Sequence, residues 1–220
     1  MNMEIVEALR LIDSFSTDSL RDRIAELESK FSSKRLPEVA DLLRAENINT
    51  NTVTAAFQIK RSAAQISVVI HTVGILVSLP HILEAGEFVE SLSLGAGNTG
   101  RDFDPITNTR VAEFKFIEWQ GGSEAIRQNN AFYDFFALAE HNSNRNRFLY
   151  LLGTNDALRF LRGNRSLKSV LSKNQTVRDR FLTRYSDTYK VVSDYYNAKQ
   201  SRVNIIDLRQ LIPSMWSGGI

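Results

Sequence analysis

Arg101-Asp102-Phe103-Asp104-Pro105 and, a short interval later, Val111-Ala112-Glu113-Phe114-Lys115-Phe116-Ile117 form the stretch whose reading decides the fold. Both pieces alternate as strands do. Successive strand side chains point to opposite faces, so Glu113 and Lys115 share a face with Val111 and Ile117, while Ala112, Phe114 and Phe116 fill the other. Asp102 and Asp104 share a face of the preceding piece, and the run Ile106-Thr107-Asn108-Thr109-Arg110 is short enough to join the two as a hairpin. With the turn centred near Asn108, Asp104 falls opposite Glu113. Two facing carboxylates repel on a bare surface, and a divalent cation reverses the sign of that interaction because hard cations take carboxylate ligands.

The Glu-x-Lys spacing alone says little, since Glu28-Ser29-Lys30 repeats it in a stretch that reads as a solvated helix. Context separates the two. Asp104, then Glu113-x-Lys115 on the next strand, with a helix before and a helix after, resembles the active-site signature of the PD-(D/E)XK nuclease superfamily, the restriction-endonuclease-like fold. The resemblance runs from about Ser67 to Asp156. It departs from the named motif at Phe103, which stands where a proline is expected, while Pro105 follows the acid.

The resemblance implies a metal-dependent nuclease hydrolysing phosphodiester bonds in DNA or RNA. Asp104 and Glu113 would ligate Mg2+ or Mn2+ with the carbonyl of Phe114, and Asp102 is the reserve ligand should the hairpin register differ by two. Lys115 would orient or deprotonate a water, or stabilise developing charge. Arg127 and Gln128, early in the following helix, occupy an auxiliary position; a surface arginine capping local carbonyls is the alternative for Arg127. In that fold the helix before the strands often contributes an acid; here the mid-helix titratable group is His71, an auxiliary candidate whose other reading is a hydrogen-bonded core histidine. The rival reading is a non-catalytic nucleic-acid-binding or assembly protein on the same fold, in which Glu113 and Lys115 simply satisfy each other.

Upstream, the pattern is helical. Ile5, Leu9 and Ile12, then Leu20, Ile24, Leu27 and Phe31, then Val39, Leu42 and Leu43 recur at helix spacing, with Thr17-Asp18-Ser19 as a cap. Residues 1–52 are therefore expected to form a helical arm packed on a core domain of residues 53–220. Val53 to Leu79 reads as a buried helix ended by Pro80, although its β-branched run also suits a buried strand. Phe88 to Leu94 reads as a first strand. The following Gly95-Ala96-Gly97-Asn98-Thr99-Gly100 lacks the lysine and helix start of a phosphate loop and reads as a turn.

Downstream, the glycine pair Gly121-Gly122 breaks the strand, and Ser123 can cap a largely apolar helix from Glu124 to Glu140. Phe148 to Leu152 suits a central strand covered on both faces, and a short helix follows from Asn155. The expected class is α/β: an αβββαβ core with a mixed sheet, a helical arm before it and a helical extension after. That extension reads as one long helix bearing Val177, Phe181, Tyr185, Tyr189 and Val192, with Val203 to Leu208 as an added edge strand.

Charge points to the partner. The 220 residues carry a net charge of +2, but residues 145–184 hold ten Arg and Lys against Asp156 and Asp179. Clustered cations of this kind displace counterions from a phosphate backbone, which makes Arg159, Arg162, Arg178 and Arg184 candidate nucleic-acid contacts. Solvated helix faces are the plain alternative. With no cysteine, disulfides, thiolate metal sites and a cysteine nucleophile are excluded, and three histidines are too few for a histidine-rich metal site. Met1-Asn2-Met3-Glu4 lacks the start of a secretory signal and no run reads as long enough to span a membrane, so a cytoplasmic protein without membrane attachment is expected. A homodimer is left open.

Overall fold

The computed structural model describes residues 4–95, 103–117, 119 and 124–213. Two compact units emerge, Met1–Val68 and Val69–Ile220, and the division falls inside a helix. In the first unit, α1 (Ile5–Ser16), α2 (Leu20–Phe31) and α3 (Leu36–Ala45) lie where the apolar spacing places them, and Ser19 caps α2 by accepting from the amide of Asp22. Ions tie α2 to the residue closing α3: Glu46 takes Arg23 at 2.8 Å and Lys30 at 2.7 Å.

Helix α4 (Thr50–Ile82) runs through the division. Three expectations about it need correction. Pro80 does not end it: the helix continues to Ile82, held by the Leu83 amide on the Leu79 carbonyl and by burial of Ile82. It is not a buried helix either, since residues 61–70 are all exposed, as are Val73, Leu76 and Val77. And it is long and apolar enough, by length and composition, to cross a membrane. Gln65, Ser67, His71 and Thr72 interrupt the run and hide this in the sequence. Within the second unit its last turns are committed to protein: Ile75 and Ser78 are buried, and a side chain at Gly74 would collide with the Phe116 ring, 2.6 Å from the position of a Cβ.

The second unit is a mixed α/β layer structure on a five-stranded sheet of order β1-β2-β3-β4-β5. Strands β1 (Val89–Leu92), β2 (Pro105–Thr107) and β3 (Arg110–Lys115) are antiparallel; β4 (Asn146–Leu151) and β5 (Asn204–Asp207) follow β3 in parallel. The linking interval is tighter than Ile106–Arg110. Ile106 and Thr107 belong to β2 and Arg110 to β3, because the Thr107 hydroxyl accepts from the amides of Thr109 and Arg110 and closes the turn in two residues.

Alternation along β3 sorts two cores. Val111 faces Leu149, Leu151 and α5 (Glu124–Ala139), whose Phe132, Phe135 and Phe136 are buried together; each such ring contributes roughly 2–3 kcal/mol on leaving water. Ala112 and Phe114 face Tyr150 and the end of α4, with Phe114 stacked on Tyr150 at 4.6 Å between centroids. After β4 come α6 (Asn155–Leu161), α7 (Leu167–Leu171), α8 (Gln175–Tyr185) and α9 (Val192–Lys199); a 3-10 turn (Gln200–Arg202), β5 and α10 (Leu208–Leu211) complete the unit. The single long helix expected over 177–192 is thus two. Ser186, at φ 46°, turns the chain out of α8, and the Asp194 carboxylate starts α9 by accepting the Lys190 and Val191 amides. Tyr195 and Tyr196 are buried among Phe132, Phe135 and Phe136 as part of the core.

Where β3 begins, Arg110 is buried and its guanidinium is fully occupied. Nε and Nη2 fork onto Glu87 at 2.6 and 2.8 Å, and Nη1 donates to the Tyr150 hydroxyl at 2.9 Å. Thr107 donates to the same Glu87. Burial alone would raise the Glu87 carboxyl; the Arg110 and Thr107 hydrogen bonds overcome it and bring the pKa down to about 2.

Candidate active site

The other end of β3 carries the candidate chemistry. Ile106 pairs with Val111, and the same register continued by two residues sets Asp104 opposite Glu113. Asp104 stands just before β2 and is buried. Its amide donates to the Ala112 carbonyl at 3.1 Å, and its Oδ2 accepts the Phe114 amide at 2.8 Å. Because a strand residue turns its N–H and C=O to the same edge, the Phe114 carbonyl also points toward the Asp104 edge. The other oxygen of Asp104, Oδ1, lies 3.2 Å from His71 Nε2, so His71 reaches the site from α4.

Lys115 Nζ sits 2.6 Å from Glu113 Oε1 and 3.3 Å from Asp134 Oδ2. Asp134, on α5, is a residue that sequence reasoning missed. The signal was present: one acid in the otherwise apolar run Ala131-Phe132-Tyr133-Asp134-Phe135-Phe136, on a helix that the same run requires to be buried. Its Oδ2 is shielded from solvent and accepts no hydrogen bond of ordinary geometry.

The electrostatics follow from the census. Asp104, Glu113 and Asp134 lie close enough to influence one another, and Lys115 is the ammonium among them. Burial, reinforced by the neighbouring carboxylates, pushes Glu113 upward against the pull of Lys115. Burial likewise raises Asp134, again partly offset by Lys115. For Lys115, burial works against the charged form, but Asp134 and Glu113 outweigh it and the ammonium is held above its ordinary value. The region has more buried acid than base, which disfavours its ionised state without a further cation.

The auxiliary candidates divide. Arg127, half-buried in the second turn of α5, lies one heptad before Asp134 and so shares its helix face. Gln128 turns instead to Arg165, accepting from Nη1 at 2.5 Å. Asp102 lies outside the described residues, as do Ser123, the Gly121-Gly122 pair and most of the 95–100 glycine turn. Arg159 lines a cleft of about 300 Å³ with Trp119, Glu124, Gln128 and Arg165, near the amino end of α5. Arg184 instead pairs with Glu140 at 2.7 Å, just past the carboxyl end of that helix. Sixteen residues separate the ends, about 24 Å at the α-helical rise. Arg162 closes α6 and Arg178 is exposed on α8, so the four arginines are spread over separate places rather than gathered beside Lys115.

Among the described residues no three His, Cys, Asp or Glu side chains are already gathered as a metal-ligand set. The residues present nonetheless fit a divalent cation: a surplus of buried acid, in which Asp134 Oδ2 meets Lys115 at 3.3 Å without an ordinary hydrogen bond, and hard oxygen donors at Asp104, Glu113 and the Phe114 edge. A scan against family models and comparisons with curated proteins and solved structures gave no significant match.

Proposed function

We propose that this chain is a metal-dependent nuclease built on a restriction-endonuclease-like core, acting on phosphodiester bonds of DNA or RNA. The observation that carries the reading is the cluster at the end of β3, where Glu113 and Asp134 flank Lys115 at 2.6 and 3.3 Å and Asp104 lies near enough to act electrostatically on both Glu113 and Lys115. The order α4-β1-β2-β3-α5-β4 agrees with the αβββαβ arrangement that such a core requires.

In this reading Asp104 and Glu113, with the Phe114 carbonyl, hold magnesium or manganese. The bound ion supplies Lewis-acid stabilisation of phosphate charge and lowers the pKa of its water. His71 fixes the Asp104 carboxylate through Oδ1 and the Phe114 amide fixes Oδ2, so the ligand is oriented before the ion arrives. Lys115, kept protonated by Glu113 and Asp134, presents an ammonium to the phosphate charge that develops during cleavage. Arg159 and Trp119 border the cleft along which a strand would leave the site.

The 2.6 Å contact between Lys115 and Glu113 favours a second reading, an assembly or nucleic-acid-binding protein in which that pair is structural. One substitution separates them. Lys115→Ala in a nuclease leaves metal binding intact and cuts magnesium-dependent cleavage of a DNA and RNA panel by ~100-fold. A wild-type chain that cleaves nothing on that panel, and a variant that loses only stability, would establish the second reading.

A further inference from the structure

At the amino ends of the parallel strands, five residue steps along β3 from Lys115 and so roughly 17 Å away, lies a cleft of about 390 Å³. Asn146 opens β4 and Asn204 opens β5, and both line it with Arg145, Arg147, Ser201 and Arg202. Its lining is largely polar, and three arginines are among the residues that line it.

The arginines are held ready but not neutralised. Arg147 Nη2 donates to the carbonyls of His141 and Ser143 at 3.0 and 2.8 Å, and Arg202 Nη1 to that of Ala139 at 3.0 Å. The Ala139 carbonyl ends α5, where the helix dipole favours cations, and the His141 and Ser143 carbonyls lie in the loop that follows, so the backbone fixes both side chains. Neither has a carboxylate partner among the described residues, and Arg147 Nε is buried with nothing to donate to. Arg145 is paired with Glu90 at 2.7 Å. Among the described residues the ion pairs at this end are those of Arg145 with Glu90 and of Arg184 and Lys199 with Glu140.

We propose that this cleft binds a phosphate monoester dianion. Two uncompensated guanidiniums match a double negative charge, and the serine and asparagine groups add donors for a third oxygen that a carboxylate lacks. The site stands apart from the carboxylate cluster and does not rest on the nuclease reading. Its phosphate comes either from a free small molecule or from the 5′ end of a polynucleotide, and the chemistry of recognition is the same for both.

The test is calorimetric titration of the full chain, without magnesium and in chloride buffer, using glycerol phosphate and short oligonucleotides of one sequence with a 5′-phosphate or a 5′-hydroxyl. The expected result is saturable binding of glycerol phosphate, of the 5′-phosphorylated strand, or of both, with the 5′-hydroxyl strand at least tenfold weaker than the ligand that binds. Glycerol phosphate binding identifies a small free monoester as sufficient; binding confined to the phosphorylated strand identifies a polynucleotide end. Arg147→Gln and Arg202→Gln should each weaken binding tenfold or more. Should those variants fail to fold, Arg145→Gln, which touches no backbone carbonyl here, should still weaken it several-fold. Glu90→Gln should tighten binding several-fold by freeing Arg145, a sign that arginines serving only as helix caps would not give. No saturable binding of any phosphate probe, equal affinity for the two strands, or affinities unchanged in folded Arg145→Gln and Glu90→Gln would overturn the proposal.

Discussion

The two ends of β3 hold buried charge in opposite ways. At Arg110 each partner is matched: a forked guanidinium on Glu87, with Thr107 and Tyr150 completing the hydrogen bonds, and Glu87 held low at about 2. At Lys115 the carboxylates outnumber the ammonium, Glu113 and Asp134 are held high, and Asp134 Oδ2 meets Lys115 at 3.3 Å outside ordinary hydrogen-bond geometry. A pair present only for structure settles toward the first arrangement, because an unmatched buried charge costs several kcal/mol. The imbalance at the second end is what the proposed metal site would account for.

The largest effect should fall on the matched end. Arg110→Ala leaves Glu87 buried without its cation and should lower unfolding free energy by ~3–5 kcal/mol in urea denaturation. An Arg110→Ala protein of near wild-type stability would break the contrast at its structural end. Next in size is Lys115→Ala, for which a cleavage rate ~100-fold lower corresponds to about 2.7 kcal/mol of transition-state stabilisation. Its melting temperature, measured on the same preparation, should fall far less than that of Arg110→Ala, since Lys115 is 30% exposed and its removal leaves water able to reach the acids.

Much of this was legible in the chain because alternation and spacing are local. Val111 through Phe116 placed Glu113 and Lys115 on one face from period two alone, and the turn length placed Asp104 opposite Glu113. His71 could be named but not placed, since what brings it to Asp104 is the packing of α4 on the sheet through Gly74 and Ile75. Asp134 announced itself only as an acid where apolar residues belonged. The Arg110–Glu87 pairing, across 23 residues, had no local signature. The exposure of α4 and the break at Ser186 were misjudged for one reason. Apolar periodicity reports which residues want cover and not whether the chain supplies it, nor where a single φ angle redirects it.

Asp134→Asn sharpens the contrast with a change of the opposite sign. A carboxyl held above its unfolded value contributes most below the ordinary carboxylate range and loses that contribution as pH rises through its folded value. Metal-free protein should therefore lose stability on this account as pH rises above about 4, the ordinary carboxylate value, and removing the Asp134 charge should recover some of that loss at pH 8. The Glu87 end behaves in reverse: its contribution is present above about pH 4.5 and is lost as pH falls toward 2. Denaturation midpoints at pH 5 and pH 8 for wild type and Asp134→Asn check the sign. A variant less stable than wild type at pH 8 would place Asp134 among the matched structural charges.

The smallest effect tests the proposed cation directly, without reference to cleavage. A cation that binds the folded chain alone adds RT ln(1 + [L]/Kd) to its stability, about 1.4 kcal/mol at ten times Kd, which is ~3–6 °C for a chain of this size. Magnesium or manganese should give such a shift in wild type and in Lys115→Ala, because an ammonium is not a ligand and its loss removes a competitor for Glu113. Glu113→Gln and Asp104→Asn should abolish the shift, while Arg145→Gln, at the other end of the strands, should keep it. Asp134→Asn should shrink it, since part of the attraction for the ion is relief of the crowding that Asp134 creates. A melting temperature indifferent to both metals in wild type would mean that the acid-rich end is completed by something other than a divalent ion. The inequality between the two ends of β3 would then have to be explained by an organic or protein-borne cation instead.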